Sequence, residues 1–132
     1  GETLPLPLAE FASQQLTRHA RKARQLAKRH ADLSSAERHK MRIAFKKLRY
    51  TLEFLAPLAT PAKLRPYLAA LARLQDELGQ INDCVTAESM VTKAIGNSSN
   101  HAIQAWISGQ HALLIERLDG ALQTWLAQRL PR

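Results

Sequence analysis

A chain of 132 residues with 45% hydrophobic side chains suits one domain with its own core. Its formal charge of +8 points to a polyanionic partner: nucleic acid, an acidic membrane or a polymeric phosphate. Cys84 is the single cysteine, which excludes an intramolecular disulfide, and no apolar run reaches the roughly eighteen residues of a membrane span. The first residues also lack the basic and apolar regions of a signal peptide, so a non-secretory setting is expected. The charge is local. Residues 18–49 hold twelve Lys and Arg against Asp32 and Glu37, whereas the remainder holds seven against nine acids.

Residues 1–7, with Pro5 and Pro7, read as a lead-in. A first helix is expected from about 8 to 31, its apolar stripe being Leu8, Ala12, Leu16, Ala23 and Ala27. The small alanines imply close packing on a neighbour. Its other side carries Arg18, Arg21, Lys22, Gln25, Lys28 and Arg29, and no acid occurs between Glu10 and Asp32. An ordinary solvated face mixes signs, because like charges at i,i+4 repel. Arg18, Lys22 and Arg29 lie on one flank of the stripe, where they can face a groove shared with the next helix.

Ser34 or Ser35 is the expected N-cap of a second helix over about 36–56, with Glu37 in its first turn and Pro57 as its stop. At about 100° per residue, His39, Arg42, Lys46 and Arg49 fall within an arc of about 80°. Met41, Phe45, Leu48, Leu52 and Leu55 form the opposite, core-facing stripe. Ile43, Tyr50 and Phe54 make a second apolar strip along the other edge of the basic row. Cations bordered by apolar residues on both sides read as the wall of a groove. Lys40 and Lys47 point away from this row, in keeping with a solubilising role.

The third helix is expected over about 62–95, with Pro66 placed in its first turn. Its stripe is Leu64, Tyr67, Leu68, Leu71, Leu74, Leu78, Ile81, Val85 and Ile95. Gly79 interrupts it at about 1 kcal/mol relative to Ala, a loss that close approach of another backbone would offset. Gly96-Asn97-Ser98-Ser99-Asn100 is a break. A last helix over about 102–130 follows, with Ile103, Trp106, Leu113, Leu114, Leu118, Leu122 and Trp125 as its core. The expected fold class is all-α: one helical domain over 1–132, an antiparallel up-and-down four-helix bundle.

Arginine forks two donors onto phosphate oxygens and lysine supplies a mobile point charge. Positions 39 to 49 span roughly 15 Å of helix, enough to meet several successive phosphates. Glu53 and Asp83 are available to hold one of these cations, but two acids do not neutralise the row. Gln75, Gly79, Asn82 and Thr86 share a face of the third helix, and the favoured role is to orient an Arg or Tyr50 by hydrogen bonding. A helical zinc pair with His39 needs a ligand at i+4, and that residue is Ile43, so no metal and no cofactor are expected. His39 is read instead as a hydrogen-bond donor. Neither a P-loop nor an acidic metal cluster for phosphoryl transfer is present, and no enzymatic activity is expected. Nucleic acid is disfavoured by 5% aromatic content and the lack of glycine-rich loops or zinc fingers.

The pattern H-x-x-R-x-x-x-K-x-L-R-Y-x-L-E, carried by His39, Arg42, Lys46, Leu48, Arg49, Tyr50, Leu52 and Glu53, resembles the signature of the CHAD family, the conserved histidine α-helical domains. The segment Leu74-Gln75-Asp76-Glu77-Leu78-Gly79-Gln80-Ile81-Asn82-Asp83 is similar to the family's L-Q-x-x-L-G-x-x-N-D. The resemblance implies a module that binds inorganic polyphosphate, placed in the cytoplasm and often at polyphosphate granules. It further implies that the chain is half of a double bundle, similar to the C-terminal half. The opposite wall of the basic channel would then come from a missing N-terminal half-domain or from a homodimer. The expected function is non-catalytic polyphosphate binding in a basic groove lined by the first two helices, through His39, Arg42, Lys46, Arg49, Tyr50, Arg18, Arg21, Lys22 and Arg29. The alternatives are a helical module for nucleic-acid phosphate backbones, or an accessory domain of a triphosphatase.

Overall fold

Prolines begin helices here more than they break them. In the computed structural model, which describes residues 5–95 and 101–131, α1 (Leu6–Lys28) carries Pro7 in its first turn and α3 (Pro61–Ile95) starts on a proline. Between them lies α2 (Ser35–Leu55), and α4 (His101–Leu126) follows. The break expected at Gly96–Asn100 lies outside the described residues. Single 3₁₀ turns, His30–Asp32 and Ala56–Leu58, join α1 to α2 and α2 to α3. The fold is the expected all-α up-and-down bundle, with α1 packed along α2, α2 on α3, and α3 along α4.

Two helix ends differ from the periodicity-based bounds. α1 stops at Lys28 and the chain tightens into the 3₁₀ turn, rather than continuing to 31. α4 stops at Leu126, short of 130, and Arg24 of α1 binds the carbonyls at and just beyond that end. The guanidinium donates to Leu126 O from Nη1 and Nη2 at 3.2 Å each, and to Gln128 O from Nη2 at 3.1 Å. A cation at that end also meets the negative pole of the helix dipole.

The same guanidinium lies 5.5 Å from the ring centre of Trp125, around which the core is built. Phe45 meets Trp125 edge-on at 4.8 Å and Tyr67 lies at 6.3 Å. Burial pushes the Tyr67 hydroxyl up to about 12, against the opposing pull of the Trp125 N–H and of Arg24. Ala12, Ala20, Ala23 and Ala27 are all buried, which lets α1 lie close on α2 and its buried Met41, Phe45 and Leu48.

At 35 residues α3 is about 52 Å long against about 31 Å for the 21 residues of α2. Asn82 is already level with the start of α2, so the end of α3 and the start of α4 project beyond the α1–α2 hairpin. That overhang corrects the expected core. Trp106 is 67% exposed and Leu113 is also exposed, because no helix of the first hairpin reaches them, whereas Val85 is exposed at the rim of the space between α3 and the start of α2. Two smaller expectations change as well. Pro66 is the sixth residue of α3, outside the first turn; the Ala62 carbonyl that loses its donor is on an exposed residue, where water can satisfy it. A Cβ on Gly79 would meet nothing within 4 Å, so no backbone approaches there.

Candidate functional site: the two basic edges of the second helix

A reciprocal cap fixes where α2 begins. Ser34 Oγ accepts from the Glu37 N–H and Glu37 Oε1 accepts from the Ser34 N–H, each at 3.2 Å. Glu37 Oε2 also accepts from Arg29 Nη2 at 3.0 Å. The Ser34 backbone N–H, then its hydroxyl, then Arg29 hold the Glu37 carboxyl below its usual range. Arg29 thus ties the α1–α2 corner together and stands apart from the basic row.

Beyond this cap α2 presents two basic edges. On the α3 side, Arg38, His39 and Arg42 line a cleft of about 90 Å³ with Asn82, over Leu78 and Ile81. The Arg38 Nε is buried without a hydrogen-bond partner. Further along, Arg49 crosses to α3 and donates from Nη1 to Gln75 Oε1 at 2.6 Å, while its Nε donates to Glu53 Oε1 at 3.1 Å. Glu53 is thus the acid that holds one cation, and Gln75 takes the orienting role expected of it. His39, Arg42 and Lys46 make no hydrogen bond or ion pair among the described residues. The Lys46 ammonium lies 6.0 Å from the ring centre of Tyr50.

On the α1 side, Arg18, His19, Lys22, Lys40 and Lys47 line a broader groove of about 490 Å³, which contains no acid. Lys40 and Lys47, which point away from the row of His39, Arg42, Lys46 and Arg49 as expected, therefore share a groove with Arg18 and Lys22. Partial burial, then Lys47, Arg18 and Lys22, lower the His19 pKa below its ordinary 6.5. Between the two edges Ile43, Tyr50 and Phe54 form an exposed apolar ridge. Tyr50 is 57% exposed, so its ring stands on this ridge and outside the core.

The nine residues singled out from sequence are consequently divided. His39 and Arg42 share the α3-side cleft, with Lys46 and Arg49 further along α2; Arg18 and Lys22 share the α1-side groove; Tyr50 stands on the ridge. Arg21 faces away, beside Thr17, Arg24 and Lys28, toward Leu130. Arg38, His19, Lys40 and Lys47 were missed. Lys40 and Lys47 lie together beside the buried Ala44 on the helix wheel, and a small core residue at that edge was the available sign that α1 lies alongside.

The family profile of the CHAD domain matches residues 2–92, well over half of the chain. The chain belongs to the CHAD family. A crystal structure of the CHAD domain from the plant Ricinus communis is 30% identical, with a TM-score of 0.67; the match covers 94% of this chain and 45% of that one. This CHAD chain therefore spans less than half the length of the plant one. No curated protein matches it. No helix among the described residues is long and apolar enough to cross a membrane.

Proposed function

We propose that this CHAD chain binds inorganic polyphosphate without catalysing its turnover. The observation that carries the reading is a set of cations left without acids: Arg42 and Lys46 on one edge of α2, and Arg18, Lys22, Lys40 and Lys47 around a groove on the other. Folding leaves such like charges close together only at the expense of mutual repulsion, which an added polyanion relieves. The basic stretch of α2 spans roughly 15 Å, so successive units of a linear phosphate chain meet successive side chains. His39 and Asn82 add hydrogen-bond donors in the cleft, where the N-terminal dipole of α2 favours anions.

A second half-domain, supplied by a preceding segment or another copy of the chain, would face this surface and complete a channel. Cytoplasmic placement at polyphosphate granules belongs to the same proposal. Titration with long-chain polyphosphate at near-physiological salt tests the reading. Saturable binding that duplex DNA competes for poorly is expected. Equal or tighter binding of DNA would replace it with the nucleic-acid-backbone reading, for which the exposed Tyr50 and Phe54 offer stacking surfaces. Release of orthophosphate would overturn the non-catalytic part.

A further inference from the structure

We propose that the groove between α1 and α2 is a distinct phosphate seat, and that filling it takes up a proton at His19. The inference rests on the polyphosphate reading and adds which edge of α2 makes binding depend on pH.

The geometry separates this seat from the cleft on the α3 side. Ile43, Tyr50 and Phe54 rise between them, so one straight phosphate strand cannot lie along both edges at once. The groove has a volume of about 490 Å³ and presents Arg18, His19 and Lys22 from α1 with Lys40 and Lys47 from α2. Gln15 adds an amide, and no carboxylate lines it. Every charged group that faces His19 from either helix is a cation. His30 is different, since its Nε2 lies 2.8 Å from Asp119 Oδ1, a carboxylate, whereas no carboxylate lines the groove at His19.

In the empty groove partial burial, and after it Lys47, Arg18 and Lys22, lower the His19 pKa and so disfavour the charged ring. A bound phosphate reverses the sign of that field. Its oxygens neutralise the neighbouring ammonium and guanidinium groups and offer an acceptor to both ring nitrogens, each of which is a donor only in the imidazolium. By linkage, a site that gains a proton on binding binds more tightly as pH falls. The ligand contributes little of this itself in a long chain, because internal phosphate units stay singly charged near neutrality and only the ends titrate.

The test is calorimetric titration of the full chain with long-chain polyphosphate, in two buffers of different ionisation enthalpy, at pH 6 and pH 8. Net proton uptake is expected, with affinity rising about threefold to tenfold toward pH 6. His19→Gln should abolish the uptake and flatten the pH profile, and Lys47→Ala should weaken binding at both pH values. NMR titration of the histidine rings in the unmodified chain avoids any dependence on variant folding. The His19 ring should titrate at higher pH once polyphosphate is bound. Binding with the same proton uptake in His19→Gln, or a shift confined to His39, would overturn the inference while leaving the function standing. Absence of polyphosphate binding would overturn both.

Discussion

Arg49 Nη1 donates to Gln75 Oε1 across the α2–α3 seam at 2.6 Å, and its Nε donates to Glu53 at 3.1 Å. The signature arginine is thus held by the fold before any ligand arrives. Arg42 and Lys46 on the same helix have no such anchor among the described residues. The difference separates stability from binding within one row of cations.

Gln75→Ala and Arg49→Ala are each expected to lower stability by about 1 kcal/mol, the usual net value of a partly exposed charged hydrogen bond. Arg42→Ala and Lys46→Ala should stay within about 0.5 kcal/mol of the parent chain, as surface substitutions do. Both should weaken polyphosphate binding and flatten the plot of log affinity against log salt by roughly one unit per lost phosphate contact. Urea midpoints and binding isotherms at several salt concentrations read the two effects apart. Unfolding of Arg42→Ala would give that residue a structural role as well.

Arg24→Ala removes the donors to Leu126 O and Gln128 O and the cation above Trp125. The carbonyls and the ring edge lie at a partly buried seam, so a loss of about 2 kcal/mol is expected. Arg24→Lys should recover less than half, because an ammonium lacks the fork that spans two carbonyls. Thermal unfolding monitored by far-UV circular dichroism measures the change. An unaltered Tm in Arg24→Ala would remove the C-terminal cap from the account of where α4 ends.

Helical periodicity was enough to find the core face of α2, where Met41, Phe45, Leu48, Leu52 and Leu55 are all buried. It failed at Trp106 because spacing along one helix carries no information about how far the other helices extend. The candidate site was legible to the same depth. The arc shared by His39, Arg42, Lys46 and Arg49 follows from sequence alone. Which cation shares a groove with which is set by the neighbour at each edge of α2, a tertiary fact. Lys40 and Lys47 join Arg18 and Lys22 only because α1 lies along their side. The Gln75–Arg49 bond likewise needs the register between two helices.

The free chain should lose stability in acid partly through His19. Its folded-state pKa lies below the ordinary 6.5, so the unfolded chain takes up the proton first. The contribution of the neutral ring is complete above about pH 6.5 and declines as pH falls through that value toward the lower folded one. His19→Gln, which never charges, should therefore show a smaller fall in Tm between pH 8 and pH 5.5 than the parent chain. An equal fall in both would place the acid sensitivity elsewhere.

Gly79→Ala should stabilise the chain. Glycine inside a helix costs about 1 kcal/mol relative to alanine, chiefly through the freedom it retains when unfolded. The usual reason to tolerate it is a neighbour that a Cβ would strike, and here nothing lies within 4 Å of that position. Gln75 and Asn82 flank Gly79 on its face of α3, and they in turn touch Arg49 and the Arg42 cleft. The open space therefore borders the basic edge of α2 rather than the core. A urea midpoint raised by the equivalent of up to about 1 kcal/mol is expected. A lowered midpoint would show that α3 packs more tightly at Gly79 than the structure allows.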